Sequence, residues 1–207
     1  MGDGLLQGGR RRAVESFRSV REAIGPIERG MSLFAITRGQ WSMIDAVRYC
    51  VAELGRADVS VWTWTIAEYE IEVMEGLLVD KGIGGARLVI DYSADRRNSL
   101  YIDRWRGRFG SRSVRICRNH AKVCRVWNDE YKLLLRGSMK LNHNPRFEQF
   151  DLSEGGKAFA LVTEIEDALP VLPRKYSNHE VESATGLNRA WEAKQLAMFA
   201  GVKVWKK

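Results

Sequence analysis

Between residues 32 and 169 the hydrophobic period of the sequence switches repeatedly, and this alternation limits the possible folds more than any other feature. "SLFAIT" is a short apolar strand pattern, whereas "WSMIDAVRYCVAELG" carries Ile44, Val47, Val51 and Leu54 at helical spacing before Gly55, a C-terminal stop. "DVSVWTWT" is rich in β-branched and aromatic residues and reads as a strand. "IAEYEIEVMEGLLVDKG" returns to helix, and "GARLVIDYS" is a buried strand ending at Ser93. Residues 96–109 read as a basic helix, and "SVRICRNHAKVCRVWND" as two strands or one bent strand. "EYKLLLRGS" and "RFEQFDLSEG" are further strands, and residues 157–169 form a closing helix. Strand and helix alternating at this spacing predict an α/β sandwich with helices on both faces of a sheet.

The segments outside this body differ from it. Residues 1–30 are a basic N-terminal arm: a Gly-rich start, then a helix over 11–24 stopped by Gly25-Pro26. Such an arm can pack on a partner or nucleic acid, or remain a loosely held terminus. Residues 31–170 form the α/β domain. Residues 171–207 read as a linker followed by an amphipathic helix over 186–200, with Trp191, Phe199 and Trp205 as docking residues. No run approaches the roughly 18 apolar residues of a membrane span. The apolar pair Leu5-Leu6 precedes the arginines, the wrong order for a secretory signal, and Leu6 stands where myristoylation favours Ser or Thr. An odd cysteine set (Cys50, Cys117, Cys124) fits reduced thiols in a cytoplasm. Cys117, His120 and Cys124 are spaced so that a strand scatters them to opposite faces, which argues against zinc.

Charge is informative once located. The chain carries a formal +7, yet residues 96–125 alone hold nine arginines and Lys122 against Asp103, a local +9. That excess predicts an anionic partner, unless it is only a solvated face. On a helix Tyr101 and Trp105 share one side, as do Arg104 and Arg108. Arginines interleaved with aromatics suit a phosphate backbone and stacked bases, and the same aromatics also fit a core stripe.

The run "RNHAKVCRVWNDEYKLLLRGSMKLNHN" leads out of that window. On a strand His120 and Lys122, two residues apart, project side by side, a poor core pair and a good anion site. Gly137-Ser138 follows the next strand pattern, then a polar segment with Lys140, Asn142 and Asn144, and Glu148 on the strand after it. His120-Ala-Lys122, the Gly-Ser turn and the surrounding strand order resemble one half of the phospholipase D superfamily, over residues 32–169. The family signature is His-x-Lys, four residues, Asp, then Gly-Ser-x-Asn. The resemblance implies a phospholipase D-like sandwich with a mixed sheet, and a metal-independent phosphodiesterase without cofactor.

In that reading His120 is the nucleophile, forming a phosphohistidine that splits one displacement into two. Lys122 neutralises the non-bridging oxygens, Ser138 donates to them, Gly137 lets backbone approach, and Glu148 orients the histidine. Lys140, Asn142, Arg104, Arg108 and Arg118 join Gly137 as substrate-binding residues. The sequence departs from the signature in three places, one of them a Gly-Ser turn that arrives about three residues late. Trp127 stands where the family has Asp, with Asn128 and Asp129 beside it as carboxylate or amide substitutes if the strand slips. Lys140 stands where the family has Asn. Only one His-x-Lys is present, and His143 and His179 read as surface or turn residues. Family members with a single copy build one site from two subunits, so the resemblance implies a symmetric homodimer with no membrane partner. The reading it favours is an endonuclease acting on DNA or RNA. A catalytically degenerate nucleic-acid-binding protein, and a phosphodiesterase or phosphatidyltransferase on a lipid or small substrate, are the alternatives.

Overall fold

A computed structural model describes residues 9–15, 19–141 and 145–186 of the chain. The apolar and alternating runs form eight strands: β1 (Arg11–Glu15), β2 (Ser32–Thr37), β3 (Ala57–Thr63), β4 (Ile83–Asp91), β5 (Val114–Cys117), β6 (Val123–Trp127), β7 (Lys132–Gly137) and β8 (Glu148–Glu154). The helices are α1 (Val20–Ile24), α2 (Met43–Leu54), α3 (Glu68–Val79), α4 (Tyr92–Arg97), α5 (Ser99–Phe109), α6 (Gly156–Ala168) and α7 (Asn178–Thr185). All eight strands belong to one mixed sheet in the order β1-β2-β8-β7-β6-β3-β4-β5. The β1–β2, β3–β4 and β4–β5 pairs are parallel, and the pairs from β2 through β8, β7 and β6 to β3 are antiparallel. The α/β class with a mixed sheet and helices on both faces is therefore the observed architecture.

The two faces are unlike. One carries Leu33, Ala35, Val59, Val61, Leu88, Ile90, Val126, Leu135 and Phe150, all buried under α2, α3 and α5. The apolar stripe of α2 supplies Ile44, Val47 and Val51. Its start is fixed by a reciprocal cap: Ser42 and Asp45 each accept the other's backbone N–H. The opposite face is covered by α6 and is polar at its centre. There Glu166, with no exposed surface, accepts from Trp62 Nε1 at 2.7 Å and from the Ser60 hydroxyl. Its other oxygen meets Arg125 Nη2 at 2.7 Å and Arg87 Nη1 at 2.9 Å.

Three local expectations are corrected. Residues 11–15 form a parallel edge strand on β2 rather than the first half of a helix, and among the described residues of this segment Val20–Ile24 is helical. The Arg12 guanidinium bonds the Ile24 carbonyl, fastening this strand to α1. The basic helix of residues 96–109 is broken at Asn98 into α4 and α5. The expected linker contains α7, capped by Ser177 and Glu180 and ended at Gly186 in left-handed backbone. The amphipathic helix expected over 186–200, with Trp191, Phe199 and Trp205, lies outside the described residues beyond Gly186, as do residues 1–8 of the arm.

Candidate active site

Strand order forces an unusual connection. β5 lies outside β4, and β6 lies beyond β3, so the chain leaving Cys117 must cross the carboxyl ends of β4 and β3 before it can start β6. Asn119, itself buried, anchors that crossing. Its side-chain amide donates to the Thr63 carbonyl at 3.0 Å and the Val89 carbonyl at 3.2 Å, one from each strand end. Its backbone N–H donates to the Asp91 carboxylate at 2.9 Å, and its amide oxygen accepts from Ala121 N. His120 and Lys122 consequently sit on this crossing loop, not on a strand as the sequence pattern predicted. They still converge. Lys122 Nζ lies 3.2 Å from His120 Nδ1 and donates to the His120 carbonyl at 2.8 Å. The carboxyl end of parallel strands is where open α/β sheets place ligands.

The β7–β8 pair supplies the facing wall. Gly137 N bonds the Lys122 carbonyl at 3.3 Å, tying the end of β7 to the start of β6. The Ser138 hydroxyl donates to the Glu148 carboxylate and accepts from Gln149 N at 2.9 Å, while Ser138 N bonds the Gln149 carbonyl at 3.1 Å. A Cβ on Gly137 would collide with that same carbonyl and crowd the Phe150 backbone. The close approach that Gly137 permits is thus to β8. Gly137→Ala is expected to cost about 1–3 kcal/mol through overpacking, read from urea unfolding, and to shift Ser138 with it.

Beside the crossing loop lies a cavity of about 170 Å³ whose lining includes Trp64, Ile66, His120, Lys122, Lys140 and Leu141, with Ser138 and Glu148 outside it. Trp64 lies with its ring centroid 5.8 Å from that of His120, and the Arg97 guanidinium lies 5.4 Å from the same indole. Burial holds the Lys122 ammonium below its ordinary range. Lys140 pushes in the same direction, and Glu148 opposes it. If Lys122 acts as a cation, its activity must fade on the alkaline side, below the ordinary lysine value of 10.5. A profile of kcat/KM against pH checks this: Lys122→Arg, charged throughout, should move the alkaline limb upward even as it lowers the plateau.

The structure brings His120, Lys122, Gly137, Ser138, Lys140 and Glu148 together at one end of the sheet. It does not bring the arginines. Arg104 forms a two-pronged pair with Glu75 on α3 at 3.0 and 2.7 Å and also reaches Glu68, while Arg108 meets Glu75 at 3.2 Å. These contacts hold the Glu75 carboxyl below its ordinary range. Arg118, two residues before His120, is turned to α7, where it meets Glu182 at 2.7 Å. Arg106 pairs with Asp103, and Arg125 with Glu166. Four of the window's nine arginines, Arg104, Arg108, Arg118 and Arg125, are therefore paired with carboxylates remote in sequence. Trp105 is fully buried against Phe109, so these aromatics are core.

Trp127 packs edge-on to Phe159 of α6, with ring centroids 6.3 Å apart. Asn128 caps the β6–β7 turn by accepting from Glu130 N and Tyr131 N, and Asp129 is exposed in that turn. Both lie at the far end of β6 from His120, so neither substitutes for the family aspartate. Asn142 and His143 lie outside the described residues. His179 is on α7 and lines a different concavity, beside Ile165 and Leu169. Burial pushes the Cys117 and Cys124 thiols up to about 12. The sequence reading missed Asn119, Trp64 and Arg97. Asn119 adjoins the histidine within the quoted run, and Trp64 closes the β3 run.

No protein-family model matches the chain, and no curated protein does. Among solved structures the chain is similar to phosphatidylserine synthase from Haemophilus influenzae Rd KW20, at 12% identity and a TM-score of 0.46, over 82% of this chain and 46% of that one. It is also similar to polyphosphate kinase from Porphyromonas gingivalis, at 15% identity and a TM-score of 0.38, over 65% of this chain and 21% of that one. The chain thus spans less than half the length of either, and identities this low carry no residue roles across.

Proposed function

We propose that the crossing loop is the catalytic element of a phosphodiesterase that works without a metal, with nucleic acid as its substrate. The observation that carries this is the pairing of His120 with Lys122 at the carboxyl ends of β3 and β4. The imidazole must be neutral to attack phosphorus, and Nδ1 then offers the neighbouring ammonium a lone pair. The same contact occupies the lone pair. A phosphodiester entering the cavity offers Lys122 a better acceptor than the imidazole or the His120 carbonyl. Lys122 and Lys140 then hold the non-bridging oxygens, and the freed imidazole attacks phosphorus. The P–O bond to the leaving alcohol breaks as the N–P bond forms, and water later cleaves the phosphohistidine. Ser138 serves as a neutral donor on the β7–β8 side only when a phosphate oxygen draws its hydroxyl proton away from Glu148.

The leaving oxygen needs a proton, and one His120 cannot be both nucleophile and acid in the same step. Among the described residues the other histidine, His179, lies elsewhere on α7, and a site completed by a second copy of the chain across a two-fold axis would supply the acid. Support for nucleic acid moves from the paired arginines to exposed rings with cations beside them. Trp64 is 39% exposed beside Arg97, and Phe147, 67% exposed, lies under Arg38 one residue before Glu148. Cations beside exposed rings suit backbone phosphates and bases. A small alcohol or lipid headgroup is the second reading, favoured by the small cavity with its apolar wall of Ile66 and Leu141.

The test is a substrate panel in excess EDTA: labelled single- and double-stranded DNA, RNA, a phospholipid vesicle and a chromogenic phosphodiester. Cleavage of nucleic acid is the expected result. Turnover of only the lipid or chromogenic ester would select the second reading, and salt-sensitive nucleic-acid binding without turnover would show a non-catalytic binding protein.

A further inference from the structure

The largest unexplained charge lies on β5, where a guanidinium reaches back to the Arg112 carbonyl. Arg115, on β5, is 8% exposed, yet its guanidinium meets no carboxylate among the described residues. One of its terminal nitrogens donates to the carbonyls of Arg112 and Val114, and its Nε has no partner. A buried guanidinium without a counter-charge is costly, and such groups are normally paired. Its neighbours make matters worse. Burial and the adjacent Arg87 and Arg112 all act against the charged form, and Glu166 and Asp167 relieve it only in part. Those two carboxylates are already engaged: Asp167 with Arg87 at 2.6 Å, and Glu166 with Arg87 and Arg125.

A concavity of about 490 Å³ opens here, lined in part by Arg87, Arg112, Ser111 and Trp127, with Asp58 as its one carboxylate among the described residues. It begins at the amino ends of β3 and β4, whereas the loop carrying His120 crosses their carboxyl ends. Arg112 is exposed and has no ion-pair partner among the described residues. The volume falls within the range of small-ligand pockets.

We infer that this concavity is a second anion site, which takes the phosphate of a nucleotide against Arg112 and Arg87, backed by Arg115, with Trp127 and Ser111 in its wall. A phosphate monoester carries the charge that Arg112 and Arg115 lack, beside an Arg87 already paired with Asp167 and Glu166, and arginine forks match its oxygens. The site is separate from His120 and does not depend on the chemistry proposed there.

The experiment is calorimetric titration with AMP, inorganic phosphate and adenosine at fixed ionic strength, on wild type, Arg112→Ala and Lys122→Ala. Arg112→Ala removes an exposed side chain, so the fold is not put at risk. Saturable AMP binding that Lys122→Ala retains and Arg112→Ala weakens by about tenfold or more is the expected result, with adenosine not binding. Any of three results would overturn the inference: no saturable binding, Arg112→Ala matching wild type, or adenosine binding as tightly as AMP. AMP binding lost in Lys122→Ala and kept in Arg112→Ala would also do so, because it would place the ligand at His120.

Discussion

His120→Ala should lower phosphodiester turnover by about 10⁴-fold or more while leaving substrate affinity within a few-fold of wild type. The two effects separate because the residues divide the work. In the proposed reading the imidazole supplies the attacking lone pair, and the cations Lys122 and Lys140 supply charge to the bound phosphate. The imidazole is exposed, and what it meets is the Lys122 ammonium and the Trp64 ring, so its removal leaves the scaffold intact. The loop itself is held by the Asn119 hydrogen bonds to Thr63, Val89 and Asp91, none of which involves the histidine side chain. Steady-state kinetics beside a binding titration distinguish this outcome from unfolding, in which both quantities would fall together. Turnover that survives the substitution would assign the chemistry to other residues.

The second large effect concerns stability. Glu166→Ala should destabilise the fold by about 3–5 kcal/mol, the usual cost of removing one member of a buried charge network. Glu166 is fully buried under α6 and faces Arg87 and Arg125 with one oxygen, Ser60 and Trp62 with the other. Its loss leaves Arg125, which is 3% exposed at its side chain, without a carboxylate, and strands two neutral donors as well. Glu166→Gln keeps an acceptor but not the charge, and should fall between alanine and wild type. Urea unfolding of the three proteins measures this directly. A loss under 1 kcal/mol for the alanine variant would show that water or rearranged carboxylates reach the arginines.

The sequence carried the architecture further than it carried the site. Strands of five to nine residues with clear alternation, such as β3 and β4, were legible because the signal lies within each segment. β1 was not, since Arg11–Glu15 is a strand only by pairing with β2, some twenty residues later. The arginine-rich window misled for a similar reason. Its positive charges are local, whereas Glu75, Glu166 and Glu182, which answer them, arrive from α3, α6 and α7. His120, Lys122, Ser138 and Glu148 were legible as residues, through the resemblance and the Gly-Ser turn. Their support was not. Asn119 matters because β5 and β6 lie on opposite sides of the β3–β4 pair, and strand order cannot be read from a local pattern.

The most direct test of the central claim is to quench the protein during turnover of a phosphodiester and map any phosphoryl adduct by mass spectrometry under alkaline conditions, where phosphohistidine survives. The account predicts an acid-labile adduct on His120, absent from His120→Ala. Steady turnover with no adduct, or an adduct confined to another residue such as His179, would contradict it.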